Sequence, residues 1–332
     1  MSRFGWRRAA VDPGDEAAAE PATVPMFGNG LHLIVPPTSY AEWLAELAVP
    51  TPAAEPELFI DWAGVRTRTG MLPWAPPELV GTTSDELPIP SDGYRSEAEE
   101  YVALAIALAG AQDTFTVVEA GAGWAPWAVM GAVCAKRLGK QPRSIAVESD
   151  STKADWAAQH ARDNGLSEAE FRLVRAACWH TEGTLRFPVL DVEDMGGAVT
   201  PESGVTMDYR GAHFPHVDVP AVSLQSLIDD PIPTDLLHID LQGMELEVLL
   251  PTLDGLEQPV RVLAVGTHDR YVEGMLQRTL LAREWALLME SPSTAVFDGV
   301  KPTLAGFTVQ DGNQFYANSR FRDADPRIIR RR

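Results

Sequence analysis

The stretch Thr114-Phe-Thr-Val-Val-Glu119-Ala-Gly121-Ala-Gly123-Trp124 decides the fold. Residues 114–118 are β-branched and apolar, as a buried strand requires. An acid and two glycines end it, and residues 125–138 continue in helical pattern, with Pro126 tolerated in the first turn. Glycine permits positive φ and close approach of a ligand to the backbone, and a helix start presents free N–H groups. Strand, glycine turn and helix form the first half of a β-α-β unit.

The same alternation recurs outward. Upstream, residues 96–109 predict an amphipathic helix capped by Ser96, with acids in its first turn. Downstream, strands are predicted over 144–147, 171–174, 236–239 and 260–265, with helices over 151–164 (capped by Ser151), 222–228, 244–253 and 272–282. Late strands follow at 285–289 and 314–317. Strands alternating with helices imply an α/β, doubly wound, Rossmann-like sheet, with ligands at the carboxyl ends of its strands. Residues 1–25 read as a flexible lead and 26–95, rich in proline and tryptophan, as an irregular N-terminal extension or lid. Residues 96–319 form the main domain and 320–332 a basic tail, solvated at its end. Residues 188–220 read as a long inserted loop, expected with the extension to shape a pocket over the strand ends.

Bulk composition narrows the function. Among 332 residues, 27 are Lys or Arg and 47 are Asp or Glu, a formal net charge of −20. Such a field repels phosphate backbones and anionic membranes, so no nucleic-acid or membrane partner is expected. With 45% apolar residues the chain can bury a large core. The two cysteines, Cys134 and Cys178, have neither metal nor redox spacing and suit a reducing cytoplasm; no signal peptide and no apolar run long enough to span a bilayer is read.

The strand ends carry the candidate chemistry. The turn Gly121-x-Gly123 competes with a dinucleotide fingerprint, but Pro126 occupies the third glycine position. Glu119 would repel a nearby pyrophosphate and welcome the ammonium of an amino-acid ligand. The turn therefore favours S-adenosylmethionine over a nicotinamide cofactor, with Glu119, Gly121 and Gly123 around its amino-acid end; Trp124 or Trp127 would flank the methionine or the acceptor, with core packing the plainer reading of both. Glu148, ending the second strand, suits the two ribose hydroxyls; a solvated acid before a helix is the plainer reading. His238 and Asp240 lie two apart and face one side of a strand, where ionisable groups are costly unless paired or functional. Asp240 falls where a methyl group would sit. His268 emerges from the next strand. His268 is the first candidate for a general base, followed by Asp240 and His238; a structural role, or a buried hydrogen bond for His238, stands beside each. Asp240 with a second group could hold a divalent cation, yet these residues do not form a metal-ligand set.

The segment DLLHIDLQGMELEVL, Asp235 to Leu249, resembles the signature of FkbM-type methyltransferases, with Gly243 and Glu245 in register. His238 stands where that family usually has Lys, and Gln242 where it has Glu. Residues 177–183, GTHDRYVEG (266–274) and DGNQFYAN (311–318) are similar to further family stretches, so the resemblance covers about Ser96 to Ser319. It implies S-adenosylmethionine as cofactor, Ala177 bordering its adenine, and O-methylation of a small-molecule hydroxyl on a sugar or natural product, as in secondary metabolism. A nicotinamide-dependent oxidoreductase and a non-catalytic nucleotide-binding module are the alternatives.

Overall fold

The computed structural model describes residues 32–200, 213–297, 299–300, 303–321 and 325–331. The flexible lead read over 1–25 lies outside them.

The quoted strand, β1 (Thr114–Ala120), is buried along almost its whole length because it lies at the centre of a seven-stranded sheet. Its companions are β2 (Gln141–Val147), β3 (Phe171–Val174), β7 (Thr234–Ile239), β8 (Val260–Thr267), β9 (Trp285–Ser291) and β10 (Gly312–Asn318). The order is β9-β10-β8-β7-β1-β2-β3, parallel except for β10, which runs antiparallel to both neighbours. The order reverses between β1 and β7, where the Rossmann-like, doubly wound class opens its ligand crevice. There Glu119 pairs in register with His238, and Ala120 with Ile239.

Helices α1 (Ala98–Gly110), α2 (Pro126–Arg137), α3 (Ser151–Asp163), α5 (Glu245–Leu256) and α6 (Arg270–Ala282) follow the expected alternation. Two caps differ from expectation. Asp150, not Ser151, accepts the free amides of Thr152 and Lys153, since a carboxylate one residue earlier reaches them better. Glu97, not Ser96, precedes α1; Asp92 accepts the Ser96 amide instead. The helix expected over 222–228 is shorter, α4 (Leu224–Ile228), because a strand runs through Ser223.

The inserted loop is partly regular. Strands β4 (Ala177–Trp179), β5 (Gly183–Pro188) and β6 (His216–Ser223) form a separate three-stranded sheet in the order β4-β6-β5. The N-terminal segment packs on the α1/α2 face, sharing one core with it: Trp43, Leu44, Trp62 and Val65 join Tyr101, Phe115 and Met130. Near the end of the basic tail Ile329 and Arg330 are exposed, while the backbone of Ile329–Arg331 pairs antiparallel with His32–Ile34 and Arg327 lies over the Trp43 ring.

Candidate active site

Gly121 (φ +74°) and Gly123 (φ +53°) turn the chain out of β1. A Cβ at Gly121 would lie 1.8 Å from the carbonyl oxygen of Asp240, so β1 and β7 can meet there only through glycine. Asp240 in turn donates its amide to the Ala120 carbonyl at 3.0 Å. These contacts bring together two segments that sequence reasoning singled out separately.

Two cavities open at these strand ends, of about 100 and 390 Å³, and Gly121, Gly123, Met195 and Asp240 line both. The smaller holds Glu148, Ala177 and Cys178. Its Glu148 carboxylate accepts from the amides of Gly123 and Asp150, each at 2.7 Å, and burial pushes its pKa up to about 7. The larger holds Glu100, Glu119, Trp124, His238, His268 and Asp311. Met195 of the insert lies over the glycine turn, and the Lys153 ammonium donates to the Asp194 carbonyl at 2.5 Å.

Glu119 is placed differently from a bare ligand contact. Its carboxylate accepts from the amides of Trp127 (3.3 Å) and Ala128 (2.7 Å), capping α2, and burial raises its pKa to about 7. Trp124 stacks on Tyr94 at 6.2 Å and its carbonyl meets His160 Nδ1 at 3.2 Å. Trp127 packs on Tyr101 and His238.

The three catalytic candidates separate into two groups. His268 has a carboxylate at each ring nitrogen: Nε2 lies 3.3 Å from Asp240 and Nδ1 2.9 Å from Glu245. Burial opposes charge on this ring, but Glu245 and Asp240 raise its pKa well above 6.5. Burial likewise pushes Asp240 up, and His268 more than offsets it. The donor atoms of Asp240, Glu245 and His268 lie within 4.8 Å of one another, a spacing that a cation would accept. A protonated imidazole between two carboxylates already supplies that positive charge. His238 instead meets one carboxylate, Glu100, at 2.7 Å.

Sequence reasoning missed Glu100, Glu245, Tyr94 and Arg95. The wholly buried Arg95 guanidinium pairs with Asp61 at 2.8 Å and faces the Tyr94, Tyr101 and Trp124 rings. Only Glu245 had a signal, its place in the strand-end motif.

The residues fit a sulfonium nucleotide: Gly121, Gly123 and Asp240 line the cavity at the strand ends, and the buried Glu148 carboxylate lines the same cavity. Fold and strand-end cavities together define the Rossmann-like α/β class. No family model matches the chain. A curated protein of Jannaschia sp. (strain CCS1), described as "Putative methyltransferase", is 30% identical over 255 residues, 76% of this chain and 90% of the relative. The chain belongs to this methyltransferase family. Similar solved structures include the FkbM methyltransferase of Methylobacillus flagellatus KT, 13% identical with a TM-score of 0.38. The match covers 61% of this chain and 44%, less than half, of that one. Another is a SAM-dependent methyltransferase of Agrobacterium tumefaciens, 10% identical with a TM-score of 0.37, covering 68% and 65% of the two chains. A third is an rRNA methylase of Streptococcus thermophilus, 9% identical with a TM-score of 0.37, covering 66% and 95%.

Proposed function

We propose that this methyltransferase takes its methyl group from S-adenosylmethionine and places it on a hydroxyl of a small molecule. The observation that carries this reading is the pair of cavities joined at Gly121, Gly123 and Asp240. In this reading Glu148 accepts the ribose hydroxyls, Ala177 borders the adenine, and the turn at Gly121 and Gly123 receives the amino-acid end. Glu119 acts through the turn, holding the start of α2. The cofactor supplies an activated methyl group, so the protein's main task is to align two reactants; alignment is worth up to about 7–11 kcal/mol of the barrier.

The larger cavity would take the acceptor, between the Trp74, Tyr94 and Trp124 rings and the carboxylates of Glu97 and Asp311. Those acids and the chain's net charge of −20 favour a neutral or cationic acceptor over a nucleic acid. The FkbM-type motif at Asp235–Leu249 points the same way, toward O-methylation. Among the described residues no helix is long and apolar enough to cross a membrane.

Calorimetry and thermal shift with S-adenosylhomocysteine and NADH test the cofactor. Radiolabelled methyl transfer to hydroxylated small molecules, amino sugars and RNA tests the acceptor. Binding of NADH alone, or transfer to RNA alone, would overturn the reading.

A further inference from the structure

The two histidines at the cleft have opposite surroundings. His268 lies between two carboxylates and favours the protonated ring, which has no lone pair to offer. His238 meets one. Its Nε2 lies 2.7 Å from Glu100 Oε1, the two side chains are 7% and 9% exposed, and its Nδ1 has no hydrogen-bond partner among the described residues. The Trp127 ring packs on the imidazole at 5.8 Å. Both His238 and Glu100 line the larger cavity. Glu100 projects from the first turn of α1, and His238 stands in β7 beside Glu119 of β1.

A carboxylate on one ring nitrogen fixes the tautomer with its proton there and leaves the other nitrogen's lone pair available. Buried polar atoms are seldom left without partners, so the orphan Nδ1 of a residue that lines the cavity calls for a ligand.

We infer that Glu100 and His238 form the proton-accepting dyad of this site, with His238 Nδ1 as the base for the acceptor hydroxyl and Glu100 as its positioning residue. The inference rests on the proposed methyl transfer. In that step the acceptor oxygen bonds to the methyl carbon as the carbon–sulfur bond breaks, its electron pair staying on sulfur. The O–H bond breaks, and its proton passes to Nδ1. The positive charge lost by the sulfonium thus reappears on the imidazolium, beside the Glu100 carboxylate.

The charged groups facing His238 are Glu100 from α1, Glu119 from β1 and Asp240 at the end of its own strand. Burial pulls the His238 pKa down, and these acids outweigh it, leaving it above 6.5. The base form therefore appears above that pH, and turnover rises through a limb on that side. Removing the Glu100 charge lets burial prevail, so the limb moves to lower pH while the weaker base lowers the plateau.

The test uses the full chain labelled with ¹⁵N-histidine and read by long-range ¹H–¹⁵N correlation, with Glu100→Gln and His238→Gln. The expected neutral form of His238 carries its proton on Nε2, and Glu100→Gln lowers its titration midpoint. Turnover is read as transfer from radiolabelled S-adenosylmethionine to the acceptor that the screen above identifies. There His238→Gln lowers kcat about 10²–10⁴-fold while S-adenosylhomocysteine binding persists, and Glu100→Gln shifts the limb. A neutral His238 protonated on Nδ1, a limb unmoved by Glu100→Gln, or nearly full turnover in His238→Gln would overturn the dyad. Where His238→Gln does not fold, the wild-type spectrum and the Glu100→Gln profile decide. Wild-type protein that binds no S-adenosylhomocysteine would instead sink the functional reading beneath it.

Discussion

Replacing Gly121 with alanine tests the joint on which the site is built. The residue has φ +74°, where an L side chain costs about 1–2 kcal/mol. The added Cβ would lie 1.8 Å from the Asp240 carbonyl oxygen and 2.9 Å from its carbonyl carbon. These are backbone atoms fixed by the β1–β7 pairing, so no rotamer change relieves the overlap. Overpacking of this kind costs about 1–3 kcal/mol, giving roughly 2–5 kcal/mol in all, a large part of a typical 5–15 kcal/mol stability. Gly123→Ala is the control: at φ +53° its Cβ meets only the end of the Met195 side chain, at 2.9 Å, which can move. Urea unfolding of both variants should place Gly121→Ala well below Gly123→Ala, and calorimetry should show S-adenosylhomocysteine binding abolished in the former. Equal stabilities, or normal binding by Gly121→Ala, would refute the argument that strand-to-strand closure requires glycine.

Glu148→Gln should weaken S-adenosylhomocysteine binding by calorimetry about 10–100-fold, the worth of charge-assisted hydrogen bonds of about 1.5–3 kcal/mol. Because burial holds the Glu148 pKa near 7 in the free protein, wild-type affinity should fall as pH drops through that value and the acceptor oxygens become protonated. Burial holds the Glu119 and Glu148 carboxyls up to about 7 in the folded chain, above the ordinary 4.5. The folded chain therefore binds more protons between those values, so stability is highest below about 4.5 on their account and is lost as pH rises through 7. Urea unfolding at stepped pH should show that decline, and Glu119→Gln with Glu148→Gln should flatten it. Arg95→Met strands the buried Asp61 carboxylate and should cost about 3–5 kcal/mol, while adding Asp61→Asn should recover part of it in a double-mutant cycle.

The sheet was legible because its strands are short apolar runs closed by glycines or acids, and residues 171–174 match the structure to the residue. The three-stranded insert was not. Val217, Val219 and Ala221 fall at every second position, but Pro188 and Pro220 break the strand signal, and β6 pairs with β5 across a long insertion. Glu148, Asp240 and the glycines could be found because the rule of strand ends points to them. Glu100 could not: it reads as one more acid at a helix start, and its partner is 138 residues away. Tyr94 and Arg95 lie in a segment without any period, so their convergence on Trp124 appears only in three dimensions. The same holds for His268, whose sequence position suggested a base while the carboxylates on both sides of it depend on α5 and β7 meeting.

Which part of the molecule admits ligands follows from what holds each wall of the cleft. The N-terminal layer contributes Trp74, Tyr94 and Arg95 to the larger cavity, yet it is fastened to the sheet. Trp43 and Trp62 are 1% and 2% exposed within the shared core. Arg66 and Asn164 exchange hydrogen bonds, Arg68 pairs with Asp163, and the Arg137 guanidinium holds the carbonyls of Leu47 and Ala63. Swinging this layer away would expose each tryptophan at about 4–6 kcal/mol. Lifting Met195 off the glycine turn exposes one half-buried side chain, at most about 1.5–3 kcal/mol, and breaks the Lys153 contact to the Asp194 carbonyl. Of the two, the Met195 side chain is the cheaper to displace. The N-terminal layer is therefore the wall of the larger cavity that costs more to displace.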